Sequence, residues 1–225
     1  MKDKNKSIWV AGASGLVGRA LLSELLQQPG DDTEIHALLR RPVEGLPPSP
    51  RLHAQRLDFA RPDLAALPAP TTIYICLGTT IKQAGSQEAF RAVDYEAVLT
   101  LARAARAAGA TRCAVVSALG AKATSTVFYN RVKGEMEEAL IALGFERLVI
   151  ARPSLLIGER AALGQPVRKG EVWGERIGRL LRPLLPARWR PIEAARVARA
   201  MRRALSEDGP AVQRLESETL QRLGR

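Results

Sequence analysis

Histidine, cysteine and aromatic side chains are scarce in this chain of 225 residues, and each scarcity excludes a class of site. The two histidines, His36 and His53, are too few for a histidine-built metal or catalytic centre. The two cysteines, Cys76 and Cys113, each lie inside an apolar run, which indicates buried free thiols rather than a disulfide framework. Aromatic residues make up 4% of the chain and offer no stacking platform for nucleic acid. We therefore expect neither a metal site nor a nucleic-acid partner.

Long apolar runs are also lacking. No run approaches the roughly 20 residues that a membrane-spanning helix needs. The charged residues 1–6 lead directly into a strand-like segment without a secretory signal pattern, so we expect a cytoplasmic protein. A chain of this length buries a sizeable core, and residues 1–225 are predicted to form one domain.

Positive charge is in excess and is unevenly spread. Residues 1–150 carry 18 lysines and arginines against 15 acidic residues, whereas residues 151–225 carry 16 against 8. The basic last third would suit an anionic partner such as a phosphorylated cofactor, an acidic substrate or a membrane surface. An arginine-rich solvated surface is the simpler interpretation, and we prefer it.

Short apolar runs alternate with helical patterns over the first two thirds of the chain. Strands are predicted at 7–11, 34–39, 52–57, 72–77, 113–116 and 145–151, and helices at 16–26, 87–108 and 129–143. This alternation indicates an α/β fold, a doubly wound parallel sheet of the Rossmann type with both faces covered. After Pro153 strands become scarce. Two helices are predicted there, one with apolar residues at 173, 177, 180, 181 and 184 and one at 192–205. Residues 154–225 are thus expected to form a short, mainly helical cap over the carboxyl ends of the strands.

A glycine-rich turn joins the first strand to the first helix. It runs from Gly12 through Ser14, Gly15, Leu16 and Val17 to Gly18. One glycine makes the tight turn, one lets a pyrophosphate approach the backbone, and one lets helix and strand pack closely. Free amides at the positive end of the helix then bind the pyrophosphate. In this strand–turn–helix context the motif predicts a dinucleotide cofactor.

Residues at the end of the second strand indicate whether NAD or NADP is the preferred dinucleotide. A carboxylate there would bind the ribose 2′-hydroxyl of NAD, but the chain has Arg40 and Arg41, with Arg19 just beyond the glycine turn. Guanidinium groups suit bidentate contacts to a phosphate. We therefore expect NADP(H), with NAD as the less favoured alternative.

Six motifs in order resemble the short-chain dehydrogenase/reductase superfamily, in its extended-to-atypical NAD(P)-binding branch. They are the glycine turn, Leu77-Gly78-Thr79-Thr80, Val93-Asp94, Val116-Ser117, Tyr129-Asn130-Arg131-Val132-Lys133, and the segment from Arg152-Pro153-Ser154 to Gly158. The co-occurrence is specific although each piece alone is common. It covers essentially the whole chain.

The resemblance implies roles for individual residues. Tyr129 matches the tyrosine that exchanges a proton with the substrate oxygen, and Lys133 matches the lysine that binds the nicotinamide ribose and favours phenolate. Residues four apart share a helix face, which makes that pairing physically sensible. Ser117 matches the serine that hydrogen-bonds the substrate oxygen. The remaining matches contact the cofactor: Asp58 at adenine, Leu77, Gly78 and Thr79 after the fourth strand, and Pro153 and Ser154 beside the nicotinamide.

Two departures from the pattern of that superfamily leave two functions open. Ala118 follows Ser117 where many members have a second serine, and residues 87–108 contain no relay asparagine. The first hypothesis is an NADP(H)-dependent oxidoreductase acting on a small carbonyl, enone or quinone substrate. The second is a non-catalytic NADP(H)-binding regulator or scaffold. For residues 173–190, packing on the core is preferred to peripheral membrane contact. Whether the protein is a monomer or a homodimer stays open.

Overall fold

The structure, a computed structural model, describes residues 7–28, 32–158 and 186–225. Within these ranges the strands are β1 (Ser7–Ala11), β2 (Glu34–Leu39), β3 (Leu52–Arg56), β4 (Thr72–Ile75), β5 (Arg112–Val116), β6 (Arg147–Arg152), β7 (Leu156–Ile157), β8 (Ile192–Glu193) and β9 (Val212–Glu216). Seven of them form one sheet in the order β3-β2-β1-β4-β5-β6-β9, and every neighbouring pair is parallel. The predicted doubly wound sheet is confirmed.

Helices cover both faces of this sheet. They are α1 (Leu16–Leu26), α2 (Ile81–Ala84), α3 (Gln87–Arg91), α4 (Val98–Ala107), α5 (Phe128–Ile141), α6 (Ala194–Ser206) and α7 (Ser217–Leu223). On one face Leu21 of α1 and Met201 of α6 belong to the same buried cluster. On the other, Leu101 of α4 and Met136 of α5 pack in a second cluster with Trp9 of β1. Because both faces are buried, the inner strands are continuous apolar runs.

The long helix predicted over 87–108 runs without a break from Gln87 to Ala107, but it is not α-helical throughout. Residues Ala92–Ala97 form a π-helical segment between α3 and α4. A π-helical insertion adds a residue to one turn and changes which side chains face inward. Here it carries Asp94, whose side chain is fully buried.

The C-terminal residues differ from the expected cap. Strand β9 pairs in parallel with β6 and extends the main sheet, while α6 packs against α1. Residues 194–223 thus complete the Rossmann layers themselves. Strand β9 escaped prediction because it is an edge strand with polar residues at Gln213, Arg214 and Glu216 and only Leu215 fully buried. The helix predicted around Trp173 lies outside the described residues.

Candidate functional site

A cavity of about 550 Å³ opens at the carboxyl ends of β1, β4, β5 and β6. Ligands in this fold bind at that edge, where the strand order reverses between β1 and β4. The structure brings eleven of the predicted site residues together in its wall: Gly15, Leu16, Val17, Leu77, Gly78, Thr79, Ser117, Tyr129, Lys133, Pro153 and Ser154. The other seven, Gly12, Ser14, Gly18, Arg19, Arg40, Arg41 and Asp58, are not part of this wall.

The glycine turn fits the task of holding a dinucleotide. Gly12 has a φ of +80°, and a Cβ there would lie 2.5 Å from the carbonyl oxygen of Cys76. A Cβ on Gly18 would lie 2.1 Å from the oxygen of Gly12, so helix α1 could not approach the turn. Gly15 begins α1 without a side-chain cap. The turn is therefore bare backbone where a pyrophosphate would meet the helix N-terminus, and the residues present fit the cofactor.

The predicted ribose-phosphate residues occupy different environments. Arg40 and Arg41 are exposed at the end of β2. Arg19 instead donates hydrogen bonds to the carbonyl oxygens of Gly45, at 2.7 Å, and Glu44, at 2.8 Å. It therefore holds the loop after β2 against the first turn of α1. Asp58 is exposed after β3 and accepts a hydrogen bond from the amide of Ala60 at 3.0 Å.

Tyr129 and Lys133 lie on consecutive turns of α5 and both line the cavity. The Tyr129 ring packs against Phe90 with centroids 5.3 Å apart. The Lys133 side chain is 2% exposed and its Nζ donates to the carbonyl oxygen of Val116 at 3.3 Å. The same Nζ lies 2.8 Å from Oδ1 of Asp94, so the two side chains form an ion pair.

Ser117 lines the cavity, but its hydroxyl is engaged elsewhere. The hydroxyl donates to Oε1 of Glu137 at 2.5 Å, and Glu137 is almost fully buried. Arg152 donates to both oxygens of Glu137, at 3.0 and 2.5 Å, and to Glu216 at 2.9 Å. Glu137 is the first cause of the raised pKa of Arg152. The role of Ser117 as a donor to substrate stays a prediction.

Most of the remaining wall is apolar. Leu119, Leu155, Leu156 and Trp189 line it, and Leu155 and Trp189 are 54% and 53% exposed. Cys76 also faces it, and burial raises the pKa of its thiol to about 12. A protonated thiol is a poor nucleophile at neutral pH. Cys76 and Cys113 are both free, as predicted.

Three charged residues at this site received no role from the sequence: the buried Asp94 and Glu137 and the partly buried Arg152. A signal for two of them was present. Asp94 stands four residues after Phe90 and three before Ala97, on the apolar face of its helix. Glu137 follows Lys133 by four residues on a face with Met136 and Leu140. A carboxylate on a buried helix face requires a charged or hydrogen-bonding partner.

The described ranges contain neither a cluster of metal ligands nor a membrane-spanning helix. No cluster of three or more histidine, cysteine, aspartate or glutamate side chains there could hold a metal ion. Likewise, none of the helices in these ranges is both long and apolar enough to span a bilayer.

Comparison with known proteins identifies relatives of the whole chain. A family model described as NAD(P)H-binding matches residues 12–179. The chain is similar to the mitochondrial protein FMP52 of Lodderomyces elongisporus, with 32% identity over 87% of this chain and 84% of that protein. It is also similar to the mitochondrial protein fmp-52 of Neurospora crassa, with 32% identity over 95% and 93% of the two chains. The predicted cytoplasmic location is wrong, since these relatives are named as mitochondrial proteins.

Solved structures share the fold at low identity. MoeE5 in complex with UDP-glucuronic acid and NAD superposes with a TM-score of 0.69 and 20% identity, over 93% of this chain and 75% of that one. ADP-L-glycero-D-manno-heptose-6-epimerase of Helicobacter pylori gives a TM-score of 0.68 and 17% identity, over 96% and 78%. Together with the glycine turn and the strand order, these findings establish an NAD(P)-binding domain. The chain belongs to the NAD(P)H-binding family, within the atypical branch of the short-chain dehydrogenase/reductase superfamily.

Proposed function

We propose that this protein is an NADP(H)-dependent oxidoreductase that reduces or forms a small carbonyl, enone or quinone. One observation carries the proposal: a single cavity is lined by both Gly15, Leu16 and Val17 of the glycine turn and the Tyr129–Lys133 pair. A dinucleotide whose pyrophosphate meets the turn therefore shares this cavity with a phenol and an ammonium group.

The side chains of α5 supply the proton chemistry. A bound nicotinamide supplies or accepts the hydride. Tyr129 gives its phenolic proton to the substrate oxygen during reduction and takes it back during oxidation. Nζ of Lys133 contacts the carbonyl oxygen of Val116 and the carboxylate of Asp94. The side chain is placed to bind the ribose and to favour the transient phenolate. The first two turns of α5 place both side chains on the cavity side.

Preference for the phosphorylated cofactor is part of the proposal. Arg40 and Arg41 are exposed at the end of β2, with no acidic residue at that strand end to repel a 2′-phosphate. Arg19 supports them indirectly, because its contacts to Glu44 and Gly45 fix the loop that follows. Two adjacent guanidinium groups are suited to bind one phosphate.

The substrate is proposed to be small and mainly apolar. Leu119, Leu156 and Trp189 line the cavity, and Thr80 and Gln83 add uncharged polar groups. Carbonyls, enones and quinones present a reactive oxygen on an apolar body, which suits a wall that combines apolar side chains with polar groups.

Calorimetric titration tests the cofactor assignment. Wild-type protein should bind NADPH and NADP more tightly than NADH and NAD. Replacing both arginines, Arg40→Ala/Arg41→Ala, should remove most of that preference, at least about tenfold, because a bidentate phosphate contact contributes 1.5 kcal/mol or so. The matched control is Arg103→Ala/Arg222→Ala, which removes two exposed arginines from α4 and α7. An unchanged preference in the first variant, or a loss in the control, contradicts the assignment.

Turnover separates the oxidoreductase from a second candidate, an NADP(H)-binding regulator. The Ser117 hydroxyl bonded to Glu137 favours that candidate, since it leaves fewer donors for a substrate. An enzyme should oxidise NADPH in a screen of carbonyls and quinones, and Tyr129→Phe should abolish the oxidation. Tight binding without turnover, unaffected by Tyr129→Phe, supports the regulator.

A further inference from the structure

A buried carboxylate faces the ammonium group of Lys133 inside the cavity. Asp94 is 0% exposed, and its Oδ1 lies 2.8 Å from Nζ of Lys133. Its other oxygen, Oδ2, accepts the backbone N–H of Thr79 at 2.9 Å. The carboxylate is thus fixed between the loop after β4 and helix α5, on the π-helical segment that turns it inward.

These two side chains determine the charge of the cavity as far as the structure describes it. Among the described residues that line it, Asp94 and Lys133 are the only ones with a formal charge. Their pairing makes this part of the wall neutral overall. Burying an ion pair is weak evidence for a role in stability, because desolvation offsets much of the attraction. The pair therefore calls for a different explanation.

The charge of the cofactor supplies that explanation. The oxidised nicotinamide ring carries one positive charge more than the reduced ring. An ammonium beside the ring would repel the oxidised form, and the repulsion is strong where water is excluded. A carboxylate on the same ammonium offsets that repulsion while leaving the lysine in place.

We propose that Asp94 is a positioning residue that holds Lys133 and offsets its charge at the nicotinamide ring, and thereby raises the affinity for oxidised cofactor relative to reduced cofactor. The proposal rests on the proposed function, because it assumes that the nicotinamide lies beside Lys133. It concerns the balance between the two redox forms, which neither the fold nor the glycine turn determines.

Binding titrations of Asp94→Asn test it without any measurement of activity. The amide keeps the shape and can still accept the Thr79 N–H, but it leaves the ammonium uncompensated. The dissociation constant of NADP should rise by about tenfold relative to that of NADPH, the size expected for unit charges several ångströms apart in a partly buried site. A purely structural loss would weaken both forms equally and leave the ratio unchanged.

Two further variants test the direction of the effect. Lys133→Gln leaves the carboxylate unpaired, so the dissociation constant of NADP should fall relative to that of NADPH. The double variant Asp94→Asn/Lys133→Gln removes both charges and should return the ratio to within about threefold of wild type. Glu96→Gln is the matched control, since it removes an exposed carboxylate from the same π-helical segment and should leave the ratio unchanged.

The outcomes are distinguishable from failure of the proposed function. If wild-type protein binds no dinucleotide, the proposed function fails and takes this inference with it. If wild-type protein binds both forms but Asp94→Asn and Lys133→Gln leave the ratio unchanged, the inference alone is overturned. If circular dichroism shows that Asp94→Asn does not fold, the test is the opposite change expected for Lys133→Gln, and an unchanged ratio of dissociation constants in that variant overturns the inference.

Discussion

At the scale of single residues, two buried carboxylates hold polar side chains of the cavity wall in place. Asp94 contacts Lys133, and Glu137 accepts from Ser117 and Arg152. A serine hydroxyl has one proton, and here that proton is donated to Glu137. Ser117 can then only accept hydrogen bonds from a ligand, so a carbonyl oxygen would find its donor in Tyr129.

The Ser117 geometry gives a prediction about catalysis. Ser117→Ala should keep kcat/KM within about threefold of wild type, against a loss of roughly a hundredfold or more for Tyr129→Phe. It should instead lower the free energy of unfolding by about 1–2 kcal/mol, because Glu137 loses a buried hydrogen bond. Steady-state kinetics and urea unfolding measure the two effects.

Ala118 provides the complementary variant. It lines the cavity and is buried beside Ser117 without a polar atom. Ala118→Ser should add a donor and raise kcat by a few-fold, as expected for an extra hydrogen bond to a developing oxyanion. A large loss of kcat in Ser117→Ala with unchanged stability would show that Ser117 serves the substrate directly.

At the scale of elements, the loop 117–127 is docked on the first turns of α5. The amide of Lys122 donates to the carbonyl oxygen of Asn130 at 3.0 Å, and Arg131 donates to that of Ser125 at 2.9 Å. Gly134 permits the docking, since a Cβ there would lie 2.1 Å from the amide nitrogen of Ala123. The loop carries Ala118 and Leu119 of the cavity wall, so the glycine connects helix packing to the site.

Gly134→Ala is therefore expected to destabilise the protein. At an open helix position the change would stabilise by up to about 1 kcal/mol through helix propensity. Here the methyl group meets the backbone of Lys122 and Ala123, and overpacking of this kind typically costs about 1–3 kcal/mol. The urea midpoint should fall, and kcat should fall with it as the loop moves. A higher midpoint would mean that the loop is not held against the helix.

The elements that were predicted from sequence differ physically from those that were not. Strands β1 and β2 and helix α1 have the predicted bounds because buried apolar runs end at glycine, proline or charged residues. The π-helical segment was not predicted, because its six residues are too short a stretch to show a period of their own. The glycine turn and the residues after the fourth strand were assigned to cofactor binding from the sequence, but the partners of Ser117 and Lys133 depend on contacts between distant elements.

At the scale of the whole molecule, several arginines bind carbonyl oxygens of the fold itself. Arg147 donates to the carbonyl oxygens of Ala204 and Glu207, and Arg199 and Arg203 donate to the last turn of α7. These arginines satisfy helix carbonyls that have no partner in their own helix. Part of the basic C-terminal third thus stabilises the fold, which no charge count along the sequence reveals.

Acid should destabilise the whole fold through one buried side chain. His36 on β2 stacks on His53 of β3 with ring centroids 5.1 Å apart, and neither of its ring nitrogens has a hydrogen-bond partner in the described part of the chain. Burial, and next the neighbouring His53, lower the pKa of His36 below its ordinary 6.5, and these effects outweigh the carboxylate of Glu34 at 3.7 Å. The unfolded chain therefore binds the proton more readily than the folded one.

The stability contributed by this neutral imidazole is complete above the unfolded pKa of about 6.5 and is lost as the pH falls through the folded value. Urea unfolding of the wild type should show a free energy that decreases below pH 6.5, by at most about 1.4 kcal/mol per pH unit for one proton. His36→Phe keeps a ring against His53 but cannot take up a proton, so its slope between pH 6.5 and 5 should be shallower, whatever its stability at pH 8. A second variant, Glu34→Gln, removes the carboxylate that raises the pKa of His36 and should therefore steepen the slope. Equal slopes for wild type and His36→Phe would show that the acid sensitivity arises elsewhere in the molecule.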